Sequence, residues 1–260
     1  MEFDLTGKTA VVTGAGAGIG LAVTQKLVSA GADVFGGART VSADLLATTP
    51  HTLEVDLLTK QGPQSLIDAA LAKFGGIDIL VNNVGGGVKL ASGFLDIEDD
   101  VWQHTFELNV LTTIRATRAA LPSLVERNGA IINIGSMNSS MVDPRLGHYS
   151  AAKAALTNIG KALSAEFSSQ GVRVNTISPG PVRTRLWTNP EIAKRAGMTP
   201  EEFVATVPKM TGLSTGEMID PDEIATLVVM LASGRVRSIT GAEVMIDAGM
   251  APPAHYNRPS

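Results

Sequence analysis

The sequence contains no cysteine, and aromatic residues make up only 4% of its 260 residues. The absence of cysteine excludes a disulfide framework, a cysteine-bound zinc ion and a thiol nucleophile. No apolar run approaches the roughly 20 residues that a membrane helix requires, and the N-terminus lacks the basic and apolar regions of a secretory signal. A net charge of -4 without a basic block argues against nucleic acid or a membrane surface as the main partner. We therefore expect a cytoplasmic protein that acts on a small molecule.

The rest of the composition indicates a globular α/β chain. Hydrophobic residues account for 44% of the chain, charged residues for 18%, and 27 glycines allow many tight turns. Short β-branched runs alternate with longer segments of helical periodicity, which is the pattern of consecutive βαβ units. The sequence therefore predicts a single domain over residues 1–260 with a doubly wound, Rossmann-type fold, in which helices cover both faces of an about seven-stranded parallel sheet. The predicted strands are Thr9–Thr13, Asp33–Gly36, Thr52–Val55, Ile77–Val81, Ala130–Ile134, Arg173–Ile177 and Glu243–Ile246, and the predicted helices lie near 18–30, 60–74, 99–126, 149–169 and 221–232.

Two segments near the C-terminus fall outside this alternation. The region from Pro179 to about Asp220 is the largest irregular stretch, and so long an excursion in a compact domain predicts a substrate lid at about 180–220. The short tail at 250–260 follows the last predicted strand. Its residues Tyr256 and Arg258 are candidates to reach the pocket of a neighbouring subunit.

A glycine-rich turn, "VVTGAGAGIG", directly follows the first predicted strand and begins a helix. Glycines there allow the backbone to approach a pyrophosphate, whose charge the N-terminus of the helix stabilises. A tight turn between a strand and a helix also needs glycine when no ligand binds. The position after the first strand is what favours nucleotide binding. The glycines of the turn are Gly14, Gly16, Gly18 and Gly20.

The segment "HYSAAKAAL" places Tyr149 and Lys153 on one face of a helix, one turn apart. An ammonium beside a phenol lowers the pKa of the phenol toward neutrality, which would make Tyr149 a usable proton donor or acceptor. Most tyrosine and lysine pairs at this spacing only pack on a helix. Here, however, Ser136 follows a buried strand at the carboxyl edge of the predicted sheet, where ligands of such folds bind. Its hydroxyl can hydrogen-bond a substrate oxygen as charge develops on it.

Other chemistries find less support. A triad of Ser136, His148 and Asp143 can be written down, but it lacks a nucleophile elbow. The histidines are scattered without ligand spacing, so we predict no metal site. The four histidines are His51, His104, His148 and His255.

Six ordered motifs resemble the short-chain dehydrogenase/reductase family in its shorter, single-domain branch. They run from "TGAGAGIG" through "NNVG", "SMNSS" and "YSAAK" to "NTISPGPVRT" and "ITGAEVMIDAGM". The resemblance implies that Tyr149 is the catalytic acid or base and that Ser136 orients the substrate carbonyl. It further implies that Lys153 binds the nicotinamide ribose while lowering the pKa of the tyrosine, and that Asn109 supports a water chain to the lysine.

The resemblance also assigns residues to the cofactor. Asp56 matches the acid that meets the adenine amino group, and Asn82 the residue that supports the centre of the sheet. The Val182 backbone and the Thr184 hydroxyl are expected near the carboxamide, and Val84 departs from the usual alanine. The positions implied in cofactor binding, besides Tyr149 and Lys153, are Gly14, Gly16, Gly18, Ile19, Gly20, Arg39, Asp56, Leu57, Asn83, Gly85, Pro179, Gly180, Val182 and Thr184.

Arg39, at the end of the second predicted strand, predicts the choice of cofactor. A member of this fold that binds NAD would usually present an acid here to the ribose 2'-hydroxyl. Ala38 takes the place of the acid and leaves room for a 2'-phosphate, to which Arg39 can offer a charged donor fork. Ala17 lacks the second basic residue of many NADP-binding relatives. Ala38 and Arg39 together outweigh the absence of a basic residue at Ala17, and they predict that NADP(H) is preferred over NAD(H).

The substrate side of the site is predicted to be mostly apolar, which favours a ketone or a secondary alcohol. Methionines at such positions can equally fill core gaps beneath a mobile loop. Arg183 and Arg185 could meet an acidic substrate or a phosphopantetheine carrier, although loop arginines are more often solvated. The predicted pocket residues are Met137, Met141, Val142, Leu146 and Trp187, with Leu186, Met210 and Leu213 as further candidates in the lid.

The leading hypothesis is thus an NADP(H)-dependent alcohol dehydrogenase or carbonyl reductase that transfers hydride with a Ser-Tyr-Lys-Asn set. A 3-oxoacyl-carrier-protein reductase is the alternative with the same chemistry. A regulator that senses a dinucleotide without catalysis is the alternative of another class, although the Ser, Tyr and Lys it would be expected to lose are all present. The resemblance implies a homo-oligomer, a dimer or tetramer, formed through the helices near 99–126 and 149–169.

Overall fold

Seven parallel strands form one sheet in the computed structural model, which describes residues 3–86 and 90–250. The strand order is β3-β2-β1-β4-β5-β6-β7, so the chain winds outward from β1 in one direction and from β4 in the other. This order confirms the predicted doubly wound fold class. The strands are β1 (Thr9–Thr13), β2 (Asp33–Ala38), β3 (Thr52–Glu54), β4 (Ile79–Asn82), β5 (Ala130–Ile134), β6 (Arg173–Pro179) and β7 (Glu243–Ile246).

Helices connect the strands and cover both faces of the sheet. Within the described part of the chain, no helix is long and apolar enough to cross a membrane. The tail at 250–260, with Tyr256 and Arg258, lies outside the described residues except for Met250. The helices are α1 (Gly18–Ser29), α2 (Ala43–Thr48), α3 (Gly62–Phe74), α4 (Asp99–Phe106), α5 (Thr112–Glu126), α6 (Gly147–Phe167), α7 (Arg185–Thr188), α8 (Pro190–Arg195), α9 (Pro200–Thr211) and α10 (Pro221–Ala232).

Strand β1 shows why the strands are apolar throughout instead of alternating between apolar and polar residues. Val11 and Val12 are both fully buried, although neighbouring residues of a strand point to opposite faces. Val12 belongs to a core that includes Leu27 of α1 and Val228 of α10, whereas Val11 belongs to a second core with Leu66 of α3. Both faces of the sheet are therefore buried, as a parallel sheet requires.

The predicted elements agree with the observed ones to within one or two residues at their ends, with two exceptions. The first is the helix predicted over 99–126, in which a π-helical turn at Glu107–Leu111 separates α4 from α5. The Asn109 side chain donates to the Thr105 carbonyl at 2.9 Å, which is the acceptor that the Asn109 backbone would use in an α-helix. The ladder shifts, and the Thr112 N–H bonds to Glu107, five residues back.

The second exception is the segment from Pro179 to Asp220, whose predicted irregular structure is wrong because it contains α7, α8 and α9. The sequence did carry signals for two of them, since Asn189 and Thr199 each precede a proline at the first helical position. Thr199 also forms a capping box with Glu202. The short helix α2, capped by Ser42, was likewise absent from the prediction.

Asp78, at the edge of the sheet opposite to the glycine turn, joins the two halves of the fold. Its carboxylate accepts hydrogen bonds from the Thr9 N–H at 3.0 Å, the Lys8 ammonium at 2.9 Å and the Arg127 guanidinium at 3.2 Å. Burial opposes ionisation, but the bonds from Lys8 and Thr9 and the charge of Lys8 outweigh it and hold the pKa of Asp78 below its usual value. The chain segments before β1 and after α5 are thus fixed to the loop before β4.

We predict that Asp78→Ala lowers the free energy of unfolding by about 2 to 4 kcal/mol at pH 7, because it leaves charged and backbone donors without their acceptor. Since the pKa of Asp78 is lower in the folded protein, this contribution is complete above about pH 4 and is lost as the pH falls through the folded value. Urea unfolding at pH 7 and at pH 3 measures both effects. Asp222→Ala, which removes the exposed partner of Lys26, is the control and should cost less than about 1 kcal/mol. Equal losses for the two variants would contradict the prediction.

Candidate active site

The glycine turn brings the backbone of β1 close to the start of α1. Gly14 and Gly18 adopt positive φ angles of 69° and 56°. A methyl group built on Gly20 would lie only 2.2 Å from the Gly14 carbonyl oxygen, so no side chain fits there. Helix α1 begins without a capping side chain, which leaves its first N–H groups free of side-chain acceptors. The turn therefore has the features of an anion site: a close backbone and the uncapped positive end of a helix.

Asn83, just after β4, fixes the shape of this turn from the neighbouring strand. Its side-chain amide donates to the Thr13 and Gly14 carbonyl oxygens at 3.0 and 3.1 Å, and its backbone N–H donates to the Thr13 hydroxyl at 2.9 Å. Val84 lies beside Gly14 as well. Ile19, on the other side of the turn, packs against the core beneath the sheet.

The end of β2 lies against the glycine turn, as the position of Arg39 suggested. Ala38 is buried, and a methyl group built on Gly16 would meet its Cβ at 3.1 Å. Arg39 is exposed, and it forms no ion pair with any residue that the structure describes. After β3, Asp56 is exposed and accepts from the Leu58 N–H, whereas Leu57 is buried in the core.

Ser136 follows β5 and is buried next to Tyr149. It begins a 3-10 turn, Met137–Ser139, and its hydroxyl accepts from the Asn138 N–H at 3.2 Å. The Tyr149 phenol lies close to this hydroxyl, which acts to lower the pKa of the phenol. The two groups can therefore act on one substrate oxygen.

Tyr149 and Lys153 lie one turn apart near the beginning of α6. The Lys153 ammonium is buried, donates to the Ile134 carbonyl at 3.0 Å and lies 5.7 Å from the centre of the Tyr149 ring. Burial raises the pKa of Tyr149, and the nearby Ser136 hydroxyl opposes this more weakly. Burial also lowers the pKa of Lys153 to about 8. Burial disfavours the charged form of both groups and so opposes a lowering of the tyrosine pKa toward neutrality, and the assistance of Lys153 to the phenol stays a prediction.

Asn109 and Lys153 meet at the glycine pair after β4. The Asn109 side chain accepts from the Gly86 N–H at 3.0 Å and donates to the Gly86 carbonyl at 3.1 Å. A methyl group built on Gly85 would come within 2.8 Å of both the Asn109 amide oxygen and the Lys153 ammonium. Any larger residue at this position would push these two side chains aside.

The loop after β6 closes the far side of the site. The Gly180 N–H bonds to Ile246, and Val182 is buried where the loop pairs with Ile219. Thr184 begins α7, and a methyl group built on Gly18 would touch its Cγ2 at 3.3 Å. The segment from Pro179 to Thr184 therefore reaches the glycine turn. Arg183 forms an ion pair with Asp220, which gives it a structural partner within the chain.

The predicted pocket residues fall into two groups. Met137 is buried in the turn after Ser136, and Met141 and Leu146 are partly buried between that turn and α6, with Val142 more exposed. Trp187 lies in the segment predicted to be the lid, where its ring stacks on Phe203 with centroids 6.5 Å apart. Of the further candidates, Leu213 is buried, and Leu186 and Met210 are exposed. Their contact with a substrate stays a prediction.

The alternative triad does not assemble. Neither ring nitrogen of His148 has a hydrogen-bond partner among the described residues, and its ring packs on Trp102. Burial lowers the pKa of His148, which keeps the ring neutral. Asp143 binds Arg145 instead. In residues 3–86 and 90–250, no three acidic, histidine or cysteine side chains cluster at a spacing that could hold a metal ion.

A protein-family model described as enoyl-(acyl carrier protein) reductase matches residues 14–251. The matched range holds the glycine turn, Asn109, Ser136 and the Tyr149 and Lys153 pair, in the order described above. The chain belongs to the short-chain dehydrogenase/reductase family. The resemblance read from the motifs is confirmed, and the protein is an oxidoreductase of this family.

Relatives within the short-chain dehydrogenase/reductase family align with almost the whole chain. The 3-oxoacyl-(acyl-carrier-protein) reductase of Vibrio cholerae serotype O1 is 32% identical over 253 residues, which cover 95% of this chain and 98% of the relative. The 2,3-dihydroxy-2,3-dihydro-p-cumate dehydrogenase of Pseudomonas putida is 33% identical over 260 residues, at 94% and 95% coverage. The solved structure of L-sorbose reductase from Gluconobacter frateurii, complexed with NADPH and L-sorbose, has a TM-score of 0.89 at 29% identity, and the match covers 97% of this chain and all of the other.

One polar cluster of this family member was only partly anticipated from the sequence. The Asn82 side chain donates to Asn133 on β5 at 2.9 Å and to the Thr117 hydroxyl on α5 at 3.1 Å. Asn82 was expected at the centre of the sheet, but its partners were not. The sequence offered one signal, since Asn133 is the single polar residue of an otherwise apolar strand, "AIINI".

We predict that Lys153→Met raises the free energy of unfolding at pH 7 by about 1 to 3 kcal/mol, since burying the ammonium costs more than its one hydrogen bond returns. The folded pKa of about 8 lies below the ordinary lysine value of 10.5. The burial cost is therefore complete below pH 8 and disappears as the pH rises toward 10.5, so the advantage of the variant shrinks over that range. Urea unfolding from pH 7 to 10 measures it. The exposed Lys161→Met is the control, and a destabilised Lys153→Met at pH 7 would refute the prediction.

Proposed function

We propose that the protein interconverts a ketone and a secondary alcohol with NADP(H). The observation that carries the proposal is the convergence of Ser136, Tyr149 and Lys153 at the carboxyl edge of β5, beside the glycine turn. These groups come from a strand end and one helix, and Asn109 joins them across Gly85.

Each side chain has a role in this proposal. The pKa of Tyr149 is raised, so the phenol carries its proton at neutral pH and can give it to the oxygen of the reduced carbonyl. An alkoxide is far more basic than a phenolate, so this transfer is downhill despite the raised pKa. Ser136, close to Tyr149, would hold the same oxygen while charge develops on it. Lys153 and Asn109 would return a proton to the phenol and position the nicotinamide ribose.

The residues present fit a nicotinamide dinucleotide. The glycine turn offers a close backbone and the uncapped N-terminus of α1 to a pyrophosphate, and the loop from Pro179 to Thr184 lies next to it. Asn83 and Gly85 line the strand end between them. A bound nicotinamide dinucleotide would supply or accept the hydride. Asp56 and Leu57, after β3, would contact the adenine.

We further propose a preference for the 2'-phosphorylated cofactor. Ala38 lies against the glycine turn without a charge, and the Arg39 side chain is exposed beside it with no ion pair among the described residues. A guanidinium in this place can bind a phosphate in bidentate fashion. The L-sorbose reductase structure that resembles this chain contains NADPH.

The class of substrate is the least constrained part of the proposal. Apolar side chains after Ser136 and in the lid support a ketone or secondary alcohol with a hydrophobic body. A 3-oxoacyl carrier reductase is the second candidate, because a relative with that name is 32% identical over nearly the full chain. A panel of cyclic ketones, aromatic ketones, ketoses and a short 3-oxoacyl thioester separates these candidates.

A homo-oligomer remains part of the proposal, with α4, α5 and α6 as its contact helices. Leu111, at the end of the π-helical turn between α4 and α5, has a large apolar side chain that is exposed. Dimer or tetramer, like the cytoplasmic location, stays a prediction.

We expect Tyr149→Phe to lower kcat on an accepted ketone by about 100- to 10,000-fold, since it removes the proton donor and keeps the ring. NADPH binding, followed by the fluorescence of the cofactor, should stay within about threefold of the wild-type Kd because the phenol contributes little to that affinity. Ser136→Ala should show the same pattern with a smaller loss. A Tyr149→Phe variant with wild-type turnover would show that the proposed chemistry is wrong.

The cofactor preference is tested by Ala38→Asp. The new carboxylate would repel a 2'-phosphate, and we expect the ratio of kcat/KM for NADPH to that for NADH to fall by about 100-fold. Ala38→Asn has nearly the same size without the charge and controls for crowding against Gly16. The proposal fails if the wild-type enzyme prefers NADH, or if both variants change the ratio equally.

A further inference from the structure

Glu243, the first residue of β7, accepts hydrogen bonds from three hydroxyl groups. One carboxylate oxygen, Oε1, receives the Ser139 hydroxyl at 2.7 Å, the Ser178 hydroxyl at 2.7 Å and the Thr157 hydroxyl at 3.3 Å. Among the described residues no ion pair involves this carboxylate. A partly buried acid without a cation is costly to keep, and hydroxyl donors are its compensation.

Each of the three hydroxyls belongs to a segment that carries part of the candidate site. Ser139 ends the 3-10 turn that Ser136 begins, and its N–H donates to the Ser136 carbonyl at 2.9 Å. Thr157 lies one turn after Lys153 on α6. Ser178 precedes Pro179, where the loop toward the glycine turn starts. Glu243 therefore joins the serine, the helix of the tyrosine and lysine, and the loop expected over the nicotinamide.

The contact between β6 and the serine turn is also tight. A methyl group built on Gly135 would lie 2.6 Å from the Ser178 hydroxyl oxygen, so this hydroxyl passes directly beside the residue before Ser136. A shift of Ser178 would be transmitted to the backbone that carries the catalytic hydroxyl. Because one oxygen accepts from Ser139 and Ser178 at once, it adds a side-chain link between two segments whose strands already pair through the backbone.

We propose that Glu243 is a positioning residue for the Ser136, Tyr149 and Lys153 set, acting through the hydroxyls of Ser139, Thr157 and Ser178. The proposal rests on the proposed function. Glu243 touches no reacting atom, and its effect is to hold three segments in register at the site. A displacement of about 1 Å in such a set costs on the order of 100-fold in rate.

The test compares Glu243→Ala with Glu243→Gln in the full-length enzyme, with NADPH varied up to saturation at a saturating concentration of ketone. Alanine removes the shared acceptor, and we expect kcat to fall by about 10- to 100-fold while KM for NADPH stays within about twofold. Glutamine keeps an acceptor oxygen in the same place, so turnover should recover to within about threefold of the wild type. Glu54→Ala, on the opposite edge strand β3, is the matched control and should leave kcat unchanged.

Two further measurements separate positioning from general stability. Urea unfolding gives the folded fraction of each variant, to which kcat is normalised. As a single substitution, Ser139→Ala should lower kcat. Combined with Glu243→Ala it should cause little further loss of kcat, since both changes remove the same hydrogen bond. A Glu243→Ala enzyme with wild-type kcat, or one whose loss glutamine does not restore, would overturn the inference.

The failure of this inference is distinguishable from failure of the proposed function. If Tyr149→Phe is inactive and Glu243→Ala is fully active, only the role of Glu243 is wrong. If Tyr149→Phe keeps its turnover, the catalytic set itself is wrong, and the inference falls with it.

Discussion

The parallel pairing of β1, β4 and β5 at the centre of the sheet is the constraint on which the rest of the molecule depends. Val12 of β1 pairs with Val81 of β4, and Val81 with Ile132 of β5, so the three strands end together at one edge. The glycine turn, Asn83 and the turn of Ser136 each begin at one of these ends. Apolar packing on both faces leaves this edge as the place where the polar groups of the candidate site can gather.

The sequence was sufficient for most of this arrangement. Unbroken apolar runs such as "TAVVT" and "AIINI" predict buried parallel strands, and glycine after the first of them predicts a backbone turn. The helical spacing of Tyr149 and Lys153 needs only the period of an α-helix. The family motifs supplied the order of the remaining residues. These features are local, and so they can be read from short stretches of the chain.

Features that depend on contacts between distant segments could not be predicted from the sequence. The π-helical turn exists because the Asn109 side chain takes a carbonyl from its own helix and also holds Gly86 from another segment. The direction of the tyrosine pKa depends on how deeply the phenol is buried, which no spacing reveals. Nothing in the sequence distinguishes the hydroxyls of Thr157, Ser139 and Ser178 from others. Only the fold brings them to the single carboxylate of Glu243. Local sequence patterns identify the residues of the candidate site, but tertiary packing determines their contacts and pKa values.

The segment predicted to be a substrate lid has a small core of its own, in which Ala193, Phe203 and Val207 are buried and Trp187 packs against them. Helix α9 is capped at both ends by the lid sequence itself, through Thr199 and Gly212. Buried residues therefore keep the shape of the segment, and other residues form its outer surface. In a structureless loop the same residues would serve both purposes. Outward-facing positions of the lid can vary while its helices keep their shape, and the sheet that carries the candidate catalytic groups is unaffected. Sequence variation on the outer surface of this segment can therefore be tolerated while the packing of the sheet stays intact.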